Sequence, residues 1–161
     1  LRSPTFVAWN LLFWSFVFFA IERYSAGQKA NESDITEMTL GKILFIGFAQ
    51  AIALLPGTSR SGITIAGGML VNLSPTSAAR FSFLLGAPII LAAGAHKTLH
   101  FLSSPENSVH LSGLQLGVGL FVSFIVGYFA IKLLLGIVSR LGLTPFICYR
   151  ILLATYILIT F

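Results

Sequence analysis

Apolar residues fill this chain in long, unalternating runs that only a few short polar stretches interrupt. Phe6 to Ile21 is apolar and rich in aromatic side chains, and Ile43–Leu55 and Ile63–Val71 are two shorter runs. Three more follow, from Ser74 to about Leu99, from Ser112 to Val138, and from Pro145 to Phe161. Runs without period-two alternation predict helices rather than the strands of an outer-membrane barrel. A helix that crosses a bilayer needs about 20 apolar residues. The first run with its flanks and the three last runs reach or approach that length, whereas 43–55 and 63–71 do not. Pro56-Gly57 separates those two, one residue removing a backbone donor and the other permitting positive φ. They therefore predict two short helices meeting at a loop, a re-entrant hairpin, which is tolerated at membrane depth only where protein buries it or a wet cavity adjoins it. The expected fold class is all-α: a polytopic integral membrane protein of about four transmembrane helices plus one re-entrant helix-loop-helix hairpin. Residues 1–161 form a single membrane domain, with a span over 1–22, a polar loop over 23–39, the hairpin over 40–71 and three transmembrane helices over 72–161.

Local signals refine these elements. Ser33 or Thr36 could cap a helix after the polar loop, and Ser74-Pro75 is a good helix start, with Ser74 as N-cap and Pro75 in the first turn. Pro88 predicts a kink or a weakened ladder near Leu84. Gly113, Gly117, Gly119, Gly127 and Gly136 permit close helix packing. Lys132 is expected to snorkel to the interface. Trp9 suits an interfacial anchor or, like Trp14, ordinary packing. Cys148, the lone cysteine, can form no internal disulfide and is expected to be a small buried apolar residue.

Composition agrees with the pattern. Of the 161 residues 56% are hydrophobic and 9% charged, against about a quarter charged in a soluble domain. The formal net charge of +5 could suggest nucleic acid, but the basic residues are scattered along helix ends. Allotted to the two ends of the elements, Arg23, Lys29, Lys42, Arg80, Lys132, Arg140 and Arg150 fall on one side and Arg2 and Lys97 on the other, with Arg60 in the hairpin loop. The positive-inside rule then puts the side from which the hairpin enters in the cytoplasm and the C-terminus outside. No signal peptide is recognisable. The acidic residues of 22–39 read as a solvated loop. His96, His100, His110 and Glu106 read as interfacial residues in preference to a metal site.

The chemistry lies in the hairpin loop, Pro56-Gly57-Thr58-Ser59-Arg60-Ser61-Gly62-Ile63-Thr64. An ionisable residue at membrane depth is a functional-site hypothesis by default. Arg60 offers a permanent charge and a planar donor fork that fits phosphate oxygens. Thr58, Ser59, Ser61 and Thr64 offer hydroxyls, and Gly57 and Gly62 allow a close approach of the backbone. Ser61-Gly62 opens the second short helix, whose free N–H groups and dipole favour the same anion. The set points to a phosphate or diphosphate; the alternative is that Arg60 pairs with a carboxylate and merely holds the loop.

The stretch from Ile46 to Leu70, with its core P-G-x-S-R-S-G-x-T matched at every fixed position, resembles the second signature of the undecaprenyl-diphosphatase family, also called bacitracin-resistance proteins. Ala79-Arg80-Phe81-Ser82-Phe83-Leu84-Leu85-Gly86-Ala87-Pro88 and Pro145-Phe146-Ile147-Cys148-Tyr149-Arg150 extend the likeness. It implies a multi-pass enzyme of the bacterial plasma membrane, built from two inverted repeats. Such an enzyme hydrolyses undecaprenyl diphosphate to undecaprenyl phosphate, recycling the carrier for peptidoglycan synthesis and giving bacitracin resistance. By the resemblance Arg60 and Ser59 are catalytic, and Gly57, Thr58, Ser61, Gly62 and Thr64 bind the diphosphate. It also implies a divalent cation, Mg or Ca, with ligands outside this chain. The expected partners are the lipid diphosphate, the membrane and a second copy of the chain, not nucleic acid. The family's first signature, E-G-x-T-E running into P-V-S-S-T-G-H, has no counterpart here. The chain is therefore expected to be the C-terminal repeat, with 1–22 the last helix of the first, and to be inactive without a complementing N-terminal half. Two other readings stay open: a polyprenyl-phosphate flippase or transporter, and a structural subunit in which Arg60 only pairs internally.

Overall fold

The computed structural model describes residues 3–27, 34–103 and 113–160, with 101–103 by their backbone alone. Among them there are six α-helices and no strand: α1 (Pro4–Ala26), α2 (Leu40–Ala51), α3 (Arg60–Leu70), α4 (Pro75–Ser103), α5 (Gly113–Leu141) and α6 (Thr144–Thr160). Three of them, α1, α4 and α5, are long and apolar enough to cross a membrane. The chain is an all-α polytopic membrane protein. The fourth expected span, α6, has 17 residues, short of the usual spanning length.

α1 begins on a built cap: the Ser3 hydroxyl accepts from the Phe6 N–H, and Pro4 occupies the first turn. The helix outruns the expected span by four residues, and the Glu22 carboxylate near its end is fastened across the bundle. It accepts from the Leu143 N–H (2.6 Å) and from the Thr144 hydroxyl (3.1 Å), so the end of α1 caps the start of α6. Ser33 lies outside the described residues, and Thr36 sits inside a 3-10 turn, Ile35–Glu37, that Asp34 caps. The hydroxyl that caps α2 belongs to Thr39.

The returning arm of the hairpin, α3, is the centre of the molecule, whereas α2 is largely exposed. α2 passes through a 3-10 turn, Ile52–Leu54, into the loop at 55–59, and α3 returns. From Gly62 to Met69 every residue of α3 is buried, between α1, α2 and α4. Such packing needs small residues at the contacts. A Cβ on Gly68 would stand 2.8 Å from that of Ala78 in α4, and Gly67 faces Ile46 and Ala49 of α2. α3 ends in a Schellman turn: Asn72 takes φ 70°, its N–H donates to Met69 O, and the Leu73 N–H donates to Gly68 O. Ser74 then caps α4 through the Ser77 N–H (3.1 Å).

Three expectations change. The glycines of α5 are not packing sites among the described residues, since a Cβ on Gly113, Gly117, Gly119, Gly127 or Gly136 would meet nothing within 4 Å. α5 leans chiefly on α4, and close approach is instead concentrated on α3. Cys148 is exposed, because the buried stripe of α6 is Ile147, Arg150 and Ala154 and position 148 faces outward. Arg150 leaves the interfacial tally, being buried inside the bundle at 4% exposure. α4 runs unbroken through Pro88, Trp14 packs on Phe18, and Trp9 is exposed.

Candidate anion site

The loop between α2 and α3 is held by side chains from both helices of the neighbouring α1·α6 pair. In α1, Asn10 Nδ2 donates to the Pro56 carbonyl (2.7 Å) and to Thr58 Oγ1 (2.9 Å). In α6, Arg150 Nη2 donates to the Gly57 carbonyl (3.0 Å) and to the Leu11 carbonyl (3.4 Å), while its Nε donates to Ser15 Oγ (3.3 Å). Ser15 in turn donates to Leu11 O (2.7 Å), and the Arg150 guanidinium lies over the rings of Phe18 and Phe146. Three consecutive residues, Pro56, Gly57 and Thr58, are thus bonded to the helices behind them. Gly57 has φ 89°, and a Cβ there would stand 2.9 Å from the Val7 carbonyl. Only glycine lets the backbone turn this way so close to α1.

Beyond that anchored segment the loop becomes a helix N-terminus. Ser59 is its N-cap, with extended backbone and its Oγ accepting from the Gly62 N–H (3.1 Å); Ser61 Oγ lies 3.3 Å from Ser59 Oγ. The Ile63 N–H goes to the Ser59 carbonyl, so the N–H groups of Arg60 and Ser61 have no acceptor among the described residues. The Arg60 guanidinium is half-buried against Gly86 of α4, where a Cβ would come within 2.8 Å of Nη2. It makes no hydrogen bond or ion pair with a described residue. Thr64, one turn later, is different: its hydroxyl reaches the carbonyls of Arg60 (3.0 Å) and Ser61 (3.1 Å) and lies 2.6 Å from Ser82 Oγ in α4.

The seven residues singled out in the sequence therefore divide into two groups. Arg60 and Ser61 present unspent donors at the opening of α3. Gly57, Thr58, Ser59, Gly62 and Thr64 are engaged in building the loop and docking it, and a Cβ on Gly62 would strike the Phe18 ring at 2.7 Å. The supporting residues Asn10, Ser15, Ser82, Gly86 and Arg150 were not singled out as site residues. Asn10 and Ser15 in the first span, and Arg150 six residues into the last helix, carry the one signal that finds them, a polar side chain inside an apolar run.

Next to Ser61 an apolar cavity of about 410 Å³ lies between α3, α4, α5 and α6, bordered by Gly62, Ile65, Phe83, Leu134 and Phe146. Chemically, the site offers a fixed cation, two backbone donors and a hydroxyl at a helix N-terminus, beside an apolar cavity. That combination suits an anionic group carrying an apolar tail. Among the described residues no three His, Cys, Asp or Glu side chains converge to hold a metal ion. The donors at the loop do not suit a divalent cation.

The bacitracin resistance protein BacA family model matches residues 1–156. Across its full length the chain is 41% identical to the undecaprenyl-diphosphatase of Nitrosococcus oceani, over 58% of that protein, and 39% identical to the undecaprenyl-diphosphatase 2 of Stutzerimonas stutzeri, again over 58%. It is 46% identical to the undecaprenyl-diphosphatase of Chromohalobacter salexigens over 78% of this chain and 46% of that one. The chain spans about half the length of the curated relatives it matches.

Proposed function

The chain belongs to the bacitracin resistance protein BacA family, and from that premise we propose that it supplies the diphosphate-binding part of an enzyme that hydrolyses undecaprenyl diphosphate to undecaprenyl phosphate and phosphate. The setting is a bacterial plasma membrane, where the reaction recycles a carrier lipid for peptidoglycan synthesis and gives bacitracin resistance. The observation that carries this reading is Arg60: a half-buried guanidinium that bonds to no described residue, at a helix N-terminus, on a loop whose Thr58 and Ser59 hydroxyls are already engaged.

Its role follows from the charge it faces. Hydrolysis breaks the bond from the terminal phosphorus to the bridging oxygen, and negative charge builds on that oxygen and on the phosphoryl oxygens. The Arg60 fork and the free N–H groups of Arg60 and Ser61 are set to offset it without rearrangement. The apolar cavity beside Ser61 gives the isoprenoid end of the lipid a seat. No general base stands among the residues described at the loop, and a magnesium or calcium ion of the reaction would need donors other than the loop's. A pairing of two chains is part of the same proposal, tested by the mass of the detergent-solubilised particle. The relatives' names weigh for hydrolysis over lipid transport.

Topology belongs to the proposal too. With Arg150 inside the bundle, the basic residues at the described helix ends are Arg23, Lys42, Arg80 and Arg140 on the side from which the hairpin enters, against Lys97 on the other. This supports a cytoplasmic hairpin base, with the chain crossing several times and its C-terminus outside.

The test is binding of inorganic pyrophosphate and of a short isoprenyl diphosphate to the purified chain. Arg60→Ala is expected to weaken both by about 10- to 100-fold, the worth of charge-assisted hydrogen bonds. Arg60→Lys should recover part of the loss, since it keeps the charge without the fork. Equal affinity in wild type and Arg60→Ala would overturn the reading.

A further inference from the structure

The outward face of α5 carries a second polar feature, unrelated to the hairpin loop. Lys132, Gly136 and Arg140 follow one another at i, i+4 and i+8, so they share a face and are stacked a turn apart. Lys132 stands nine residues before the last residue of α5, about 13 Å into an apolar helix. It is exposed and makes no hydrogen bond or ion pair with a described residue. A lysine at that depth is unfavourable unless its ammonium reaches water or an anion. Between the two cations Gly136 leaves a gap in which a Cβ would meet nothing within 4 Å. The result is a shallow patch on the open surface of α5 alone, with Phe129, Leu133 and Ile137 as its apolar side and Lys132 and Arg140 as its charged groups.

Among the described residues no carboxylate borders this patch. Arg140 also borders a separate cavity that contains Glu22, but the two oxygens of Glu22 are committed to the Leu143 N–H and the Thr144 hydroxyl. Two cations, an apolar wall running along the helix and no opposing acid complement an amphiphile whose negative charge sits at the end of its chains. We propose that this face of α5 is a binding site for an anionic phospholipid. Its phosphate sits over Gly136 between Lys132 and Arg140, and its acyl chains lie along Phe129, Leu133 and Ile137. Basic clusters at the cytoplasmic end of a spanning segment recognise lipid headgroups in this way. A zwitterionic lipid offers the same phosphate but brings an amine that the two cations repel, so the site discriminates by net charge.

The experiment compares thermal unfolding of the detergent-solubilised full chain as phosphatidylglycerol or phosphatidylcholine is titrated in. Phosphatidylglycerol is expected to raise the melting temperature more than phosphatidylcholine does. The double variant Lys132→Gln/Arg140→Gln should lose most of that difference, and Lys42→Gln/Arg80→Gln, which removes two cations from the same end of the molecule, should keep it. Gly136→Leu retains both charges but fills the gap, and should also lose it. Counting bound lipids by native mass spectrometry reads the same preference without reliance on stability. The proposal fails if Lys132→Gln/Arg140→Gln keeps the full preference, if the Lys42/Arg80 control loses as much, or if the wild-type chain distinguishes the two lipids by neither measurement.

Discussion

Two arginines lie within the bundle, and their surroundings assign them opposite tasks. Arg150 is spent: three acceptors and two aromatic faces surround it, and one of those acceptors is the carbonyl of Gly57. Arg60 is unspent. Arg150→Met should therefore leave the Gly57 carbonyl without its side-chain donor, at about 1–3 kcal/mol, while Leu11 O keeps the Ser15 hydroxyl, and it should lower the melting temperature in detergent whether or not an anion is present. Arg60→Ala should leave the melting temperature of the anion-free chain nearly unchanged and remove the stabilisation that pyrophosphate gives the wild type. Gly57→Ala separates backbone from side chain. Forcing a Cβ onto a residue at φ 89° beside the Val7 carbonyl should destabilise the chain by about 1–3 kcal/mol, and hydrogen exchange at Thr58 should quicken because the loop no longer seats on α1. Asn10→Ala should quicken the same exchange without backbone strain, since it removes only the two bonds to Pro56 and Thr58.

At the scale of the element, the question is what Ser59 does. Its hydroxyl oxygen caps α3, and loss of a serine cap costs a helix about 1 kcal/mol. Ser59→Ala should show that loss in the melting temperature. Ser59→Asn restores a cap without restoring a hydroxyl, so it should bind pyrophosphate as the wild type does. If Ser59 also attacks phosphorus, Ser59→Asn should still bind, and together with a complementing N-terminal half it should release no phosphate where the wild-type chain does. The helices themselves were legible because long apolar runs have few alternatives: Ser74-Pro75 starts α4, and Pro56-Gly57 breaks the hairpin where proline and glycine require it. Arg60 stood out because a charge between two short apolar runs is a functional-site hypothesis by default, and the described residues offer it no carboxylate. The clasp was not. Asn10 and Ser15 lie in α1 and Arg150 in α6, so the clasp forms only when those two helices pack beside the loop, and nothing local in a sequence reports that pairing. The glycines of α5 misled for the converse reason, since spacing shows that a close approach is permitted and not that a partner helix takes it.

For the whole molecule, the clasp also sets depth. Asn10, which touches the loop at Pro56 and Thr58, stands six residues from the start of α1 and sixteen from its end. At the helical rise that is about 9 Å from one end of the span and about 24 Å from the other. The hairpin base lies at the far end, where α1 finishes, α4 begins and α5 finishes. By the proposed topology the hairpin enters from one side and carries its loop most of the way across, and the donors of Arg60 and Ser61 are then expected to be reached more easily from the side on which α1 begins. A single reporter tests this. Ser61→Cys in a Cys148→Ser background, so that the exposed native thiol does not compete, should react with a membrane-impermeant thiol reagent applied from the side of Pro4. It should react far more slowly with the same reagent applied from the side of Arg80. Pyrophosphate should protect the thiol if the anion sits at the opening of α3. Faster labelling from the Arg80 side would mean that the loop opens towards the hairpin base, and the depth argument from Asn10 would then be wrong.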